Sequence, residues 1–554
     1  MGWRQLAAVV FSRQLWNRWD RLTQNPSEVQ EAFLLQLIRR QKNTAFGKDH
    51  GFASIRTSGD FRRQVPLADY ERFRPYVNRI AEGAENVLTS EPPLMFTLTS
   101  GTTAQPKLIP VTQTTLDIHT RLTRLWYCRA FLDHKKCFAG KVLGVVSPAA
   151  EGKTRAGTPY GAASGLIYRA SPNWIKRALA APEEVSEIKD FTAKYYVIMR
   201  LAVEQNIAFL GTPNPSTILK LVETADGFKE EIIKDVHDGT ISDKFEISKE
   251  IRRALSARLS ANRERAAELE KFIRAQGRLR PAEYWANLQL IGCWKGGTVG
   301  VRLHEFDRWF PERIPVRDLG YLASEAHVSL PICDDGAAGI LAVDANYYEF
   351  IPEAKMDSPD AATLTCDQLQ QGCVYYIAVT TAGGLYRYDI NDLVRVTGFH
   401  RRTPLIEFLR KGRDVTNLTG EKLHVNQLIE SVEESLRTLG VRARHYRACA
   451  DIEMSRYAIA VEFGDALPNR DRLSQLRAEV DQHLSRLNIE YGQKRLSRRL
   501  GPPVLWIMKP GWSERQSALQ RGARDTQFKA RLLSHTLENP SEVWFSIEAR
   551  EDES

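Results

Sequence analysis

Between Phe96 and Thr112 the chain reads FTLTSGTTAQPKLIPVT, and within it Thr99, Ser100, Gly101, Thr102 and Thr103 set four hydroxyls and one unhindered backbone into five residues. Hydroxyls and main-chain N–H groups at that density can bond phosphate oxygens, Gly101 lets the backbone turn and approach a ligand closely, and Lys107 adds a mobile cation nearby. The alternation of Phe96 and Leu98 with Thr97 and Thr99 predicts a buried strand that delivers the loop. It is not a Walker loop: GxxxxGK[ST] is absent, and no GxGxxG opens a helix. The same residues also suit a Ser/Thr-rich turn between two strands, so other parts of the chain must decide.

Three clusters bear on that choice. In YLASEAHVSLP, Tyr321 to Pro331, the carboxylate of Glu325 can hold a magnesium ion on nucleotide phosphates, or it can be an ordinary exposed or paired glutamate. In YRYDINDLVRVTGF, Tyr386, Arg387, Asp389 and Asp392 stand between apolar strands. An ionised aspartate there offers two oxygens to a ribose diol, whereas simple turn chemistry has Asp389 and Asn391 satisfying local N–H groups. In GRDVTNLTGEKLHVNQL, Lys422 follows Glu421, and a lysine on a mobile domain can neutralise phosphate charge as a bond forms or breaks.

Hydroxyl loop, glutamate, aspartate turn, Gly412–Asp414, lysine: in this order the clusters resemble the adenylate-forming superfamily of acyl-activating enzymes. TSGTTAQPK resembles its phosphate loop, YLASE its glutamate motif, YRYDINDL its ribose-binding aspartate motif and GRD its interdomain hinge. Within the superfamily, FRRQVPLADYERFRPYVNRIAEGAENVL, YYEFIP, YRYDINDLVRVTGF, LNIEYGQKR and TQFKARLL are similar to the auxin-responsive acyl acid amido synthetases of the Gretchen Hagen three type, over nearly the whole chain.

The resemblance implies ATP and Mg2+ as cofactors and a two-step reaction. A carboxylic acid and ATP give an acyl-adenylate and pyrophosphate, and an amine, typically an amino acid, then takes the acyl group with release of AMP. AMP supplies the leaving group that a free carboxylate lacks. By position, Thr99, Ser100, Gly101, Thr102 and Thr103 would grip phosphates, Glu325 would hold magnesium, Asp392 would bind ribose, and Tyr321 and Ser324 would line the nucleotide site. Lys422 would approach the α-phosphate, with Lys529 of TQFK as a second lysine alternating with it as the small domain rotates. Arg121 and Arg124 are candidates for pairing with a substrate carboxylate, or are solvent-facing arginines on an amphipathic helix; His327 is a further candidate near the acyl acid, or a packed histidine.

Two departures mark a divergent member of bacterial type. Ala104, Gln105 and Pro106 replace the expected glycine-bearing half of the loop, and Asn391 stands where the aspartate motif has glycine, which predicts a left-handed asparagine there. A ligase with a thiol acceptor, coenzyme A or a carrier protein, is the alternative within enzymes.

The elements that must position these residues read as α/β layering. Helical periodicity covers Val29–Arg40, Thr114–Leu132, Ser186–Glu204 and Pro215–Val222, with the apolar strand Ile207–Gly211 between the last two. Ile247–Gln276, rich in i to i+4 opposite charges, predicts an exposed helix pair. LQLIGCWKGG, ILAVDANYYEFIP, CVYYIAVTTAGG and PLIEFLRKG supply strands of a second sheet region. The polar, glycine-bearing stretch Lys411–Gly420 then separates a strand from the helical NQLIESVEESLRTLG. The expected organisation is a large multi-sheet α/β N-terminal adenylation domain over 1–411, a hinge over 412–420, and a small mobile α+β domain over 421–554.

Composition sets the remaining bounds. At 554 residues, 43% hydrophobic and 26% charged, the chain is long enough for more than one core and ordinary for a soluble protein. No stretch approaches the roughly 18 apolar residues that span a bilayer. Seven widely spread cysteines without CxxC pairs predict neither a disulfide framework nor a zinc site and suit a reducing cytoplasm. The net charge of +9, from 77 basic and 68 acidic residues, is modest, and its densest part, Lys494 to Arg531, lacks interleaved aromatics. A non-catalytic nucleic-acid-binding protein using that basic face is the rival from another class. The expectation is a cytoplasmic monomer acting on a small carboxylic acid and an amine, with no nucleic acid and no membrane.

Overall fold

Ile207–Gly211, with four of its five residues buried, lies within a sheet that needs cover on both faces. Lys141–Gly144 flanks it on one side, with Leu290–Gly292 and then Val316–Arg317 on the other, all four strands parallel. Phe191–Ala202 packs in this core with ten consecutive buried residues from Ala193, because its sequence is apolar on nearly every side. Asp190 caps it by accepting from the Ala193 N–H at 2.6 Å. Pro215–Gly227 belongs to the same core, and the charged segment forms two helices, Lys249–Ser256 and Arg263–Gln276. Their outer faces are charged, but Leu255 and Leu269 are fully buried, so the pair is a cover for the sheet rather than a wholly exposed excursion.

This computed structural model describes residues 3–549 except 100–106, 146–149, most of 163–172, 312–313, 357–361, 413–414, 417–422, 452–453, 455, 465, 497–499, 522–531 and 535–539. The described residues divide into two units, one running to Leu409 and one beginning at Arg410.

The first unit holds two more sheets. Six strands run in the order Tyr347–Pro352, Val374–Thr380, Tyr388–His400, Thr403–Lys411, Gly339–Leu341, Ser329–Leu330. Four more are ordered Lys107–Val111, Met95–Thr99, Pro159–Gly161, Gly152–Lys153. An aromatic core that includes Phe46, Phe52, Phe73, Tyr386 and Tyr388 lies against the six-stranded sheet, with Phe46 stacked on Tyr386 at 4.7 Å between ring centroids. The pairing of Val374–Thr380 with Tyr388–His400 carries a bulge. Val379 faces Tyr388 and Ala378 faces Asp389, but Ile377 faces Asp392, so Ile390 and Asn391 are extra. Asn391 takes φ +56°, the left-handed conformation its sequence position predicts, and its N–H donates to Asp389 Oδ1 at 2.7 Å.

Gln113–Asp133 buries Leu122, Leu125 and Trp126, the face its periodicity predicts, and Trp126 donates from Nε1 to the Asp318 carbonyl at 2.9 Å. Thr112 caps this helix through the Thr115 N–H. In the second unit, a five-stranded sheet is ordered Leu533–Ser534, Ala443–Asp451, Arg456–Phe463, Val504–Met508, Val543–Ile547. Helices Val425–Thr438 and Arg470–Leu487 pack together there, joined by Ser435 and His483 at 2.8 Å. All seven cysteines are free, and no described helix is long and apolar enough to cross a membrane.

Candidate active site

The strands on either side of the hydroxyl-rich segment pair with each other. Met95–Thr99 runs antiparallel to Lys107–Val111 at the edge of the four-stranded sheet, with Thr99 opposite Lys107. Tyr70, at the start of helix Tyr70–Ala81, pins the returning strand: its hydroxyl accepts from the Leu108 N–H at 2.8 Å and donates to the Leu108 carbonyl at 2.9 Å. The Lys107 ammonium lies over the Tyr70 ring, 5.5 Å from its centroid, and 3.4 Å from the Tyr388 hydroxyl. Expected as a mobile cation, Lys107 is held by two tyrosines.

Glu325 sits at the tip of a tight hairpin. Leu322 bridges His327, and the Ala323 N–H donates to the Ala326 carbonyl at 2.9 Å, leaving Ser324 and Glu325 as the two turn residues, both half-buried. Two phenol–carboxylate contacts cross between this hairpin and the Tyr388–His400 strand. Tyr321 donates its hydroxyl to Asp392 Oδ2, and Tyr388 donates to Glu325 Oε1 at 3.4 Å. Each segment supplies one phenol and one carboxylate. Burial first, and then the carboxylates close by, hold both phenol pKa values well above the ordinary tyrosine range, so both remain protonated donors at any working pH.

Glu325 fits a hard divalent cation. The Tyr388 bond engages Oε1, and among the described residues no hydrogen bond engages Oε2, which can ligate. Among the described residues, no group of three or more His, Cys, Asp or Glu is arranged to hold a metal by itself. A cation at Glu325 would therefore complete its shell with phosphate oxygens and water, the arrangement magnesium favours. Asp392 is 1% exposed and takes the Tyr321 bond on Oδ2, so the expected ribose contact requires the surrounding side chains to open a path to the carboxylate.

The structure brings Tyr321, Ser324, Glu325 and Asp392 together. Ser100, Gly101, Thr102, Thr103, Lys422 and Lys529 lie outside the described residues, as do Arg413 and Asp414 of the expected hinge; Thr99 is described in its backbone alone. Arg121 is already engaged: its guanidinium pairs with Asp344, whose other oxygen accepts from Trp19 Nε1 at 3.0 Å. That ion pair satisfies it without a substrate carboxylate, and Arg124 is exposed. His327 is buried against His119, ring centroids 5.2 Å apart, with neither ring nitrogen in hydrogen-bonding geometry. Burial, then the neighbouring His119 and Arg121, pushes its pKa well below the usual histidine value, so it is a neutral, packed side chain.

Tyr70 and Tyr388 are the site residues that sequence reasoning missed. Tyr388 lies inside the quoted aspartate motif, but its partners are 63 and 281 residues away, and no local pattern signals either contact.

A mixed, layered first unit, in which the hairpin and the aspartate strand meet, followed by a smaller α+β unit, is the adenylate-forming fold. The GH3 family N-terminal domain matches residues 16–316, the GH3 family central domain 339–411 and the GH3 family C-terminal domain 424–538, so the chain belongs to the GH3 family. It is 24% identical to indole-3-acetic acid-amido synthetase GH3.4 of Arabidopsis thaliana, covering 92% of this chain and 89% of that one. It is also 24% identical to jasmonoyl--L-amino acid synthetase GH3.5 of Oryza sativa subsp. japonica, covering 93% of each. The solved structure of AtGH3.15 acyl acid amido synthetase in complex with 2,4-DB superposes with a TM-score of 0.85 at 21% identity, over 98% of each chain, and has the same fold.

Proposed function

We propose that this chain is an ATP-dependent acyl acid amido synthetase that adenylates a small carboxylic acid and transfers the acyl group to an amino acid. The observation that carries the reading is the crossed pair of phenol–carboxylate contacts, which sets Glu325 beside the base of the hydroxyl loop in a chain of the GH3 family. Its named relatives are acid–amino acid ligases, which supports an amine rather than a thiol acceptor.

In the first step a carboxylate oxygen of the acid attacks the α-phosphorus of ATP, and the bond to pyrophosphate breaks. Thr99 to Thr103 hold the phosphates; Glu325, oriented by Tyr388, would hold Mg2+, which would supply charge neutralisation at the phosphates. Tyr321 and Ser324 line the nucleotide, and Asp392, with Oδ2 held by Tyr321, takes the ribose. In the second step the amine attacks the acyl carbon, the carbon–oxygen bond to AMP breaks, and the amine proton leaves to solvent. Lys422 and Lys529 serve these steps from the small domain, with 412–420 as the hinge. Arg121 already pairs with Asp344, so an acyl acid would have to compete with that carboxylate to reach it.

The enzyme acts as a cytoplasmic monomer without nucleic acid. The relatives named above are plant proteins, and they lend no support to a bacterial-type placement, which rests on the departures at Ala104–Pro106 and Asn391 alone.

ATP–pyrophosphate exchange across a panel of aromatic and aliphatic acids tests the first step, and product mass with amino acids against coenzyme A tests the second. Acid-dependent exchange and amide products are expected. Turnover with coenzyme A alone would replace the amine with a thiol; no exchange with any acid, together with a Lys422→Ala protein indistinguishable from the parent, would remove the enzymatic reading.

A further inference from the structure

Lys107 and Glu325 are opposite charges on either side of one phenol. The Lys107 ammonium is 3.4 Å from the Tyr388 oxygen, the same oxygen is 3.4 Å from Glu325 Oε1, and among the described residues no ion pair joins lysine to glutamate. Packing fixes that oxygen independently of either charge. Tyr388 is 1% exposed, with Phe73 edge-on to its ring at 5.9 Å and its backbone paired to Val379. Lys107 is steered from the other side by Tyr70, itself tied twice to the Leu108 backbone.

A phenol carries one proton and two lone pairs, so it can donate to a carboxylate and accept from an ammonium at once. A direct lysine–glutamate pair would instead consume the carboxylate charge that a divalent cation needs, and the lysine charge that phosphate needs. We propose that Tyr388 is a positioning residue that spaces Lys107 away from Glu325, keeping the carboxylate available to a divalent cation and the ammonium available to the phosphate side. The proposal rests on the reading of this site as one that binds ATP with Mg2+, and it concerns this chain's own residues toward that cation.

The test is binding, read without turnover. The rise in melting temperature of the full chain at fixed ATP is measured against Mg2+ concentration, and the half-maximal Mg2+ is compared among variants. Tyr388→Phe removes the acceptor, lets Lys107 close on Glu325, and is expected to raise the half-maximal Mg2+ about tenfold, the scale of losing a partner that orients a metal ligand. Adding Lys107→Met to that variant removes the competing cation and is expected to bring the requirement back toward the parent's. Lys107→Arg, at a half-buried position, keeps the charge but offers a longer planar fork that reaches past the phenol; it is expected to raise the requirement as well, and it stands in should Tyr388→Phe fail to fold. A parent-like requirement in Tyr388→Phe, or in Lys107→Arg where that is the variant that folds, overturns the proposal. So does a raised requirement that Lys107→Met leaves untouched. A parent with neither a Mg2+-dependent ATP shift nor acid-dependent exchange would overturn the adenylation reading instead.

Discussion

Each of the four residues in the crossed contacts has a distinct chemical task, and each can be removed by deleting one or two atoms. Tyr321→Phe leaves the Asp392 carboxylate buried without that donor and is expected to cost about 2 kcal/mol of stability, the scale for stranding a buried acceptor, seen as a lower urea midpoint. An unchanged midpoint would mean the carboxylate finds another donor at no cost. Glu325→Gln keeps an acceptor for Tyr388 but removes the charge, so it is expected to weaken Mg2+-dependent ATP binding at least about tenfold while the melting temperature without ligand stays put. At this scale residue type alone left Glu325 readable as an ordinary surface glutamate and the aspartate cluster as turn chemistry, and only the order of the motifs made Glu325 and Asp392 candidates. Their phenol partners were not legible, because Tyr388 and Tyr321 are also good strand and core residues and nothing local separates the two uses.

Among the elements, the strand that carries Tyr388 and Asp392 is tied to the rest of the first unit by a buried arginine. Arg387 makes two bonds to Glu349, at 2.8 Å each, and donates to the carbonyls of Arg62 and Val65, both at 2.7 Å. Arg387→Met would leave Glu349, 1% exposed, charged and unpaired, with an expected loss of about 3–5 kcal/mol in urea unfolding. Further along the strand, Asn391→Ala forces a β-carbon-bearing residue without a local hydrogen-bonding side chain into φ +56° and is expected to cost about 1–2 kcal/mol, whereas Asn391→Gly should be close to neutral. Equal costs for the two would place the effect in the side chain rather than the backbone. The left-handed asparagine and the Gln113–Asp133 helix were both readable, one from a missing glycine and one from apolar spacing. The five-residue shortfall at the start of Phe191–Ala202, against the predicted Ser186, was not, because Glu183–Glu187 form a separate turn of 3-10 helix and Asp190 caps the helix anew.

For the whole molecule, the two packed histidines make stability depend on pH. His119 and His327 both have folded-state pKa values below 6.5, chiefly through burial. Above that value both folded and unfolded chains hold neutral imidazoles, and stability is level. As pH falls through it, the unfolded chain takes up protons that the folded chain refuses, so stability drops by at most about 1.4 kcal/mol per pH unit for each histidine. Urea midpoints between about pH 7.5 and about pH 5 should fall in the parent and fall less steeply in His327→Gln; parallel slopes would place the proton uptake elsewhere. The layered α/β character of the first unit and the α+β character of the second were readable from alternating helical and strand periods. Strand order was not, since the six-stranded sheet places Thr403–Lys411 beside Gly339–Leu341 through pairings no local pattern specifies.

The bulge at Ile390 and Asn391 gives this strand something like a reading frame of two. Because exactly two residues are extra, Tyr388 and Asp392 stay on one face, opposite Val379 and Ile377, about 7 Å apart along the sheet rather than the about 13 Å that four regular steps would span. Removing both extra residues would shorten the chain yet leave every later side chain on its own face. Removing one would be a frameshift: Asp392 would turn away from Tyr321, and every side chain from Leu393 to His400 would move to the opposite face. Length changes at this point are therefore admissible in pairs and not singly.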